Sequence, residues 1–293
     1  MKILICSDGK PAADNATRIG GLFARAARAD ATLLGIAEKP ADEQPLRRAL
    51  EAQAEILHAE NVTPKIVVRA GDPIAGILHE TSTIEYDLVV IGSRRTRTSG
   101  LHWRTEKTYE VIKAIPVPVL VAVGDRRRVQ RFLVCTGGKE YINDAVRLTG
   151  NLAAAVGGVV TLLHVMAEPP AIYADLVRLE EDLDRLLASG SELGRNLVSQ
   201  KKALEALGVK VTVRVRHGIV VDQVFDELRE SDQDVIVTGS SQARGALRHY
   251  IMGDLTRMIV NRADCPVLVA RSETQGAPRG LWRSLRKFVG AAR

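Results

Sequence analysis

Apolar residues fall along this chain in short, nearly unbroken runs, separated by longer stretches in which they recur every three or four positions. The runs of the first half are KILICS (2–7), TLLGIA (32–37), KIVVRA (65–70), DLVVIGS (87–93) and PVLVAV (118–123). Between them, 13–28, 42–60 and 73–85 carry their apolar residues at helical spacing. A strand that is apolar on both faces must be covered on both, so the alternation predicts a parallel sheet with helices on each side. Right-handed crossovers make such a sheet doubly wound, with ligands expected at the carboxyl ends of its strands.

The pattern then repeats. KILICSDGK (2–10) aligns with RFLVCTGGK (131–139) at offset 129, and ATLLGIAEKP (31–40) aligns with VTLLHVMAEP (160–169) at the same offset. RAGDPIAGILHETSTIEYDLVVIGS (69–93) matches RHGIVVDQVFDELRESDQDVIVTGS (216–240) at offset 147, and VPVLVA (117–122) matches CPVLVA (265–270) at offset 148. Insertions fall only between these blocks, which marks a duplicated domain. The expected fold is α/β, with two tandem doubly wound five-stranded parallel sheets. The domains are placed at 1–125 and 131–272, with a linker at 126–130 and a basic tail at 273–293. The extra residues of the second copy, 171–207, read as one long helical region.

Composition narrows the class. Of 293 residues 46% are hydrophobic and only 4% aromatic, which fits an aliphatic core. No apolar run approaches the ~18 residues of a membrane span, and MKILICSDGK enters a strand at once, unlike a signal peptide. A cytoplasmic protein is the expectation. Cys6, Cys135 and Cys265 form no C-x-x-C pair, so they read as core thiols, not as a zinc or redox site. The net charge is +6, and five positive charges belong to Arg279, Arg283, Arg286, Lys287 and Arg293, in the acid-free stretch 274–293. The body is near neutral, so nucleic acid is not an expected partner. In 281–289, Leu281, Trp282, Leu285, Phe288 and Val289 share a helical stripe bordered by bases. That pattern suits docking on a protein surface or lying on an anionic membrane surface.

Candidate chemistry is sparse. His102, His164, His217 and His249 are scattered and make no catalytic or metal-ligand spacing, and LEEDLDRLL (179–187) reads as the solvated face of a helix. No catalytic residue and no metal ligand is predicted. Gly71-Asp72-Pro73 reads as a strand-to-helix turn, with Asp72 as cap and Pro73 in the first turn.

The order and spacing of these blocks, twice over, resemble the universal stress protein family, as a tandem of two UspA-type domains covering 1–270. The carriers are the strand ending in SDGK, TLLHVMAEPP, GDPIAGIL, DLVVIGS and PVPVLVAV. The resemblance implies an adenine-nucleotide α-hydrolase-like fold, a role in stress adaptation, and association through the closing strands. Members that bind nucleotide carry an Asp after the first strand and a G-x2-G-x9-G-[ST] loop. In that loop glycines admit the backbone to phosphate oxygens, and the last Gly-Ser opens a helix whose free N–H groups favour an anion.

Carried over residue by residue, the first copy keeps Asp8, Gly9, Ile36, Ile91 and Gly92, but the second loop glycine is Arg95 and the third is Thr105, followed by Glu106. The second copy has Gly137 for the Asp, Val165 and Thr238 as base neighbours, Gly239, Gln242 as second loop position, and Gly253 followed by Asp254. Both copies thus place a carboxylate where a hydroxyl is the pattern. At roughly 4 Å it repels a phosphate charge by about 4 kcal/mol at an effective dielectric of 20. Arg94, Arg95, Arg97 and Arg104 are either a phosphate clamp or a solvated basic loop.

The expected function is a non-catalytic binding or regulatory module. ATP or another adenine nucleotide binds weakly at most, in domain 1, and 238–256 is a relic loop. Two alternatives stand beside it: an ATP-binding switch or slow ATPase, and a scaffold tethered by its basic C-terminal helix to a membrane or an acidic partner. The expected partners are the chain itself, as a pseudo-dimer through 117–122 and 265–270 and as a homodimer, and a protein the sequence does not identify.

Overall fold

A computed structural model describes residues 1–92, 95–98, 101–104, 106–124, 128–137, 143–167, 183–242, 250–251 and 253–271. The first half runs β1 (Lys2–Cys6), α1 (Asp14–Ala26), β2 (Asp30–Ala37), α2 (Glu43–His58), β3 (Lys65–Ala70), α3 (Pro73–Thr83) and β4 (Leu88–Gly92). A hairpin, β5 (Arg95–Thr98) and β6 (Leu101–Arg104), then leads into α4 (Glu106–Ala114) and β7 (Val119–Ala122). The second half runs β8 (Arg131–Cys135), α5 (Asn143–Ala155), β9 (Val159–Met166), α6 (Leu183–Ala188), α7 (Glu192–Glu205) and β10 (Lys210–His217). It closes with α8 (Val220–Glu230), β11 (Val235–Gln242), β12 (Tyr250–Ile251), α9 (Asp254–Arg262) and β13 (Val267–Arg271).

The main sheet has the order β10-β9-β8-β11-β13-β7-β4-β1-β2-β3. Each half is a parallel five-stranded sheet, and the halves join where β7 meets β13 antiparallel. Val267 lies opposite Val121, Leu268 opposite Leu120 and Val269 opposite Val119. Two apolar edges that would each invite foreign strands are thereby spent on one another. Strand residues alternate between two continuous cores. Ile3, Ile5, Leu33 and Phe132 face α1, α2, α5 and α7, while Leu4, Val89, Val119 and Ile236 face α3, α4, α8 and α9.

The duplication extends to buried polar contacts. Arg69 on β3 pairs with Glu80 on α3 at 2.6 Å, and at offset 147 Arg216 on β10 pairs with Glu227 on α8 at 2.7 Å. Both glutamates are buried, and each ties an edge strand to the helix that follows it. Tyr86 Oη donates to the other oxygen of Glu80 at 3.1 Å.

One contact between the halves has no counterpart. The Arg271 side chain, 6% exposed at the end of β13, donates from Nε to the Val117 carbonyl at 3.2 Å. Its Nη2 donates to the carbonyls of Ile115, at 3.0 Å, and Ile112. At offset 148 the first copy has Val123.

The single helical region expected over 171–207 is not continuous. Among its described residues, α6 and α7 are separated at Ser189–Ser191, where Gly190 takes φ +65° and Ser191 Oγ accepts from Gly194 N at 3.0 Å to start the next helix. Residues 171–182 and the basic tail lie outside the described residues.

Candidate functional site

The carboxyl end of β1 runs into the turn Ser7-Asp8-Gly9-Lys10. Gly9 takes φ +71°, and a Cβ there would come 2.8 Å from that of Ala49, so both backbone and space call for glycine. Gln53 of α2, 5% exposed, holds this turn: its Oε1 accepts from Ser7 Oγ, and its Nε2 donates to the Lys10 carbonyl at 3.2 Å and to Asp14 Oδ1 at 2.8 Å. Gly9 N in turn donates to Ser7 Oγ at 3.0 Å. Asp8 is therefore displayed on a fixed turn, its side chain 51% exposed, accepting from Lys10 N at 3.1 Å with Lys10 Nζ at 4.0 Å.

Register brings the other first-copy residues to the same rim. Cys6 lies opposite Leu34 of β2 and Ile91 of β4, which sets Asp8, Ile36 and Gly92 along one line of strand ends. Ile36 is partly buried and packed on α3, where a Cβ on Gly76 would come 2.6 Å from its Cδ1. Ile91 is buried beneath the rim, and Gly92 lies beside Ala13, just ahead of α1, and Ala16 within it. Arg95 falls on β5, and Thr105 lies outside the described residues.

The second copy repeats the scaffold without the carboxylate. Thr136 Oγ1 donates to Gln200 Oε1 at 3.0 Å, the equivalent of the Ser7–Gln53 contact, and Gly137 stands where Asp8 does. His164 Nδ1 donates to the Thr136 carbonyl at 2.9 Å, which ties the end of β9 to the end of β8. Val165 is partly exposed near the end of β9. Thr238 is 3% exposed, and its Oγ1 lies 3.0 Å from that of Thr256, which also donates to the Gly239 carbonyl at 3.1 Å. The first turn of α9 is thus fastened to the end of β11. Gly253 is exposed and caps α9, which Asp254 begins.

Where they are described, the segments in place of glycine loops include paired strands. Gly239 is a ladder residue of β11 opposite Ala270, and β11 continues to Gln242, which pairs with Tyr250 of β12. In the first copy β5 and β6 pair antiparallel, Arg95 opposite Arg104 and Arg97 opposite His102. A hairpin commits part of its backbone N–H groups to the partner strand, whereas a glycine loop leaves them free for phosphate oxygens. Each hairpin reaches the other half: β6 lies against α9 and β12 against α4.

The remaining chemistry is quiet. Burial, and then Glu80, pushes the Cys6 thiol up to about 12, and burial, and then Cys265, does the same to Cys135. Thiols so far from ionisation are poor nucleophiles. No group of three His, Cys, Asp or Glu side chains among the described residues could hold a metal ion. No helix of the described residues is long and apolar enough to cross a membrane.

Two doubly wound halves, joined antiparallel through their closing strands β7 and β13, define a tandem Rossmann-like α/β protein. The chain belongs to the universal stress protein family, whose model matches residues 1–122 and 128–271. Its fold is similar to that of a universal stress protein from Archaeoglobus fulgidus, at 17% identity and TM-score 0.67, covering 92% of this chain and 98% of that one. A putative universal stress protein from Pseudomonas aeruginosa aligns at 15% identity and TM-score 0.66, over 92% and 93% of the two chains. A universal stress protein of Methanocaldococcus jannaschii is 23% identical over 143 residues, 48% of this chain and 82% of that relative. Membership supports a stress-related role.

Proposed function

We propose that this chain is a non-catalytic regulatory module in which only the first half keeps affinity, and weak affinity, for an adenine nucleotide. The observation that carries this reading is the contrast between two strand ends held alike. Gln53 and Gln200 bind the equivalent hydroxyls of Ser7 and Thr136, but Asp8 follows the one and Gly137 the other. An exposed carboxylate at a strand end can accept from the exocyclic amine of adenine, and a glycine offers no side chain for it. The second half, with Thr256 fastened onto the end of β11 and Asp254 opening α9, serves as the structural counterpart of the first. Calorimetric titration of the full chain with Mg-ATP is the test, with Asp8→Ala and a phosphate-release assay beside it. One weak site per chain, lost in Asp8→Ala, is the expected outcome. Tight binding that survives the substitution, or hydrolysis above the blank, refutes it.

A further inference from the structure

We infer that the groove between α1 and α2 is a second ligand site, and that it takes a free α-amino acid with an apolar side chain. The first sign is an exchange between the repeats. At offset 129 the start of α1 reads Asp14-Asn15-Ala16 and that of α5 reads Asn143-Asp144-Ala145, while Arg18 and Arg147 hold the same position. In the second half Arg147 pairs with the Asp144 carboxylate at 3.3 Å. In the first half the same reach finds an amide: Arg18 Nη2 donates to Asn15 Oδ1 at 2.5 Å, and no carboxylate of the described residues lies within ion-pair distance of Arg18. Asn15 Nδ2 is shut off from solvent and has no acceptor. Aspartate at 15 would replace that stranded donor with a second oxygen for the arginine, so the amide is the less stable choice. Local rules are broken in this way at functional sites, and here the result is a guanidinium left free for a ligand.

The surroundings set the ligand. Pro11, Asp14, Asn15, Arg18 and Ile56 line one open cavity of about 460 Å³, which has room for a small molecule. Its wall thus holds one cation, one anion, one amide and two apolar side chains. Asp14 and Arg18 stand four apart on α1 yet form no ion pair with each other. Opposite charges side by side and unpaired fit a molecule that carries both: the arginine fork takes a carboxylate and Asp14 an ammonium. Pro11 and Ile56 give its side chain an apolar wall. A second cation or an aromatic face, which a nucleotide would use, is missing from this lining. Asp14 Oδ1 already accepts from Gln53 Nε2 at 2.8 Å, so Oδ2 is the oxygen assigned to the ammonium. Gln53 Nε2 also donates to the Lys10 carbonyl in the turn that displays Asp8. The two sites therefore share one positioning residue and should sense each other; only this coupling rests on the nucleotide reading.

The test is a ligand-observed NMR titration of the full chain with L-leucine, with L-leucine methyl ester, which lacks the carboxylate, and with 4-methylpentanoate, which lacks the ammonium. Leucine should bind the wild type, and each analogue about tenfold more weakly. R18Q and N15D should each lose about tenfold for leucine. N15D does so by rebuilding on Arg18 the ion pair of the second half, and it should melt no lower than the wild type. D14N, whose Oδ1 still accepts from Gln53, should weaken leucine and leave 4-methylpentanoate unchanged, and D144N in the second half should change neither. If a variant fails to fold, the analogue comparison on the wild type decides. Leucine that does not bind, or that binds N15D undiminished, overturns the inference. Binding of 4-methylpentanoate as tight as that of leucine overturns the amino-acid assignment. Saturating leucine should shift Mg-ATP affinity about twofold or more. Leucine that binds without that shift overturns the coupling and leaves the site standing, and leucine binding in a chain that takes up no Mg-ATP brings down the nucleotide reading alone.

Discussion

Replacing Arg271 should loosen the joint between the halves, and the reason lies in a proline 155 positions earlier. An α-helical carbonyl expects its donor four residues on, and for Ile112 that residue is Pro116, which has no N–H. Arg271 supplies the missing donor, together with bonds to the Ile115 and Val117 carbonyls. Its charge also sits at the negative end of α4. Arg271→Met keeps much of the volume and removes every donor. An unsatisfied buried carbonyl costs about 1–3 kcal/mol, and the bonds from a charged donor to the other two carbonyls add to that less than additively. Relief from burying a guanidinium, which costs several kcal/mol, offsets part of the loss. The net expectation is a destabilisation of about 2–3 kcal/mol, or roughly 5–10 °C in Tm for a chain of this size. Urea unfolding followed by circular dichroism reads it, with a double-mutant cycle against Pro116→Ala, which restores the N–H. In the Arg271→Met background, Pro116→Ala should recover about 1 kcal/mol, and in the wild type it should gain nothing. Arg271→Met within about 0.5 kcal/mol of wild type, or a cycle that is simply additive, refutes the reasoning.

Two further outcomes follow from the turns and the thiols. Gln53→Met removes three hydrogen bonds from the turn that displays Asp8, and Gln200→Met removes the equivalent contact to Thr136. Each should cost about 1–3 kcal/mol in urea unfolding, but only Gln53→Met should weaken Mg-ATP, and equal effects on the ligand would sink the assignment of the site to the first half. Cys6 and Cys135 keep some solvent contact as residues, so access alone does not protect them; the thiol pKa of about 12 does. At pH 8 their alkylation in the native chain should run about a thousandfold slower than in urea, three pH units of thiolate fraction. The same shift makes stability fall with alkali: from pH 9 to about 12 the unfolded chain releases thiol protons that the folded chain retains. Each thiol contributes up to about 1.4 kcal/mol per pH unit in that window, and Cys6→Ala/Cys135→Ala should flatten the decline relative to wild type.

The strands were legible because parallel strands buried on both faces cannot hide: KILICS, DLVVIGS and PVLVAV match β1, β4 and β7 to within two residues. The cap was legible too, with Asp72 Oδ1 accepting from Ala75 N at 2.9 Å ahead of Pro73. The hairpin was not, because its cations read as a charge run. Its signal was the period-two alternation in RTRT and LHWR around Ser99-Gly100, a strand pattern with a turn pair at its centre. Likewise Ser189-Gly190-Ser191 announced the break between α6 and α7 that leucine spacing concealed.

What no single stretch could reveal was the division of labour between the copies, which comes into view only when they are laid on each other. Pro116 faces Asp264 across the repeat, and Val123 faces Arg271. The helix end that lacks an N–H at Pro116 in one copy is completed by the Arg271 side chain of the other, and this contact couples the two halves. Asp8 against Gly137 runs the other way, the first half having the carboxylate that the second lacks. A symmetric pair of domains has no need of such exchanges. In this chain the second half contributes Arg271 to the end of α4, the helix that follows the β5–β6 hairpin. Ligand affinity in the first half should therefore respond to substitutions at 271 as well as at Asp8.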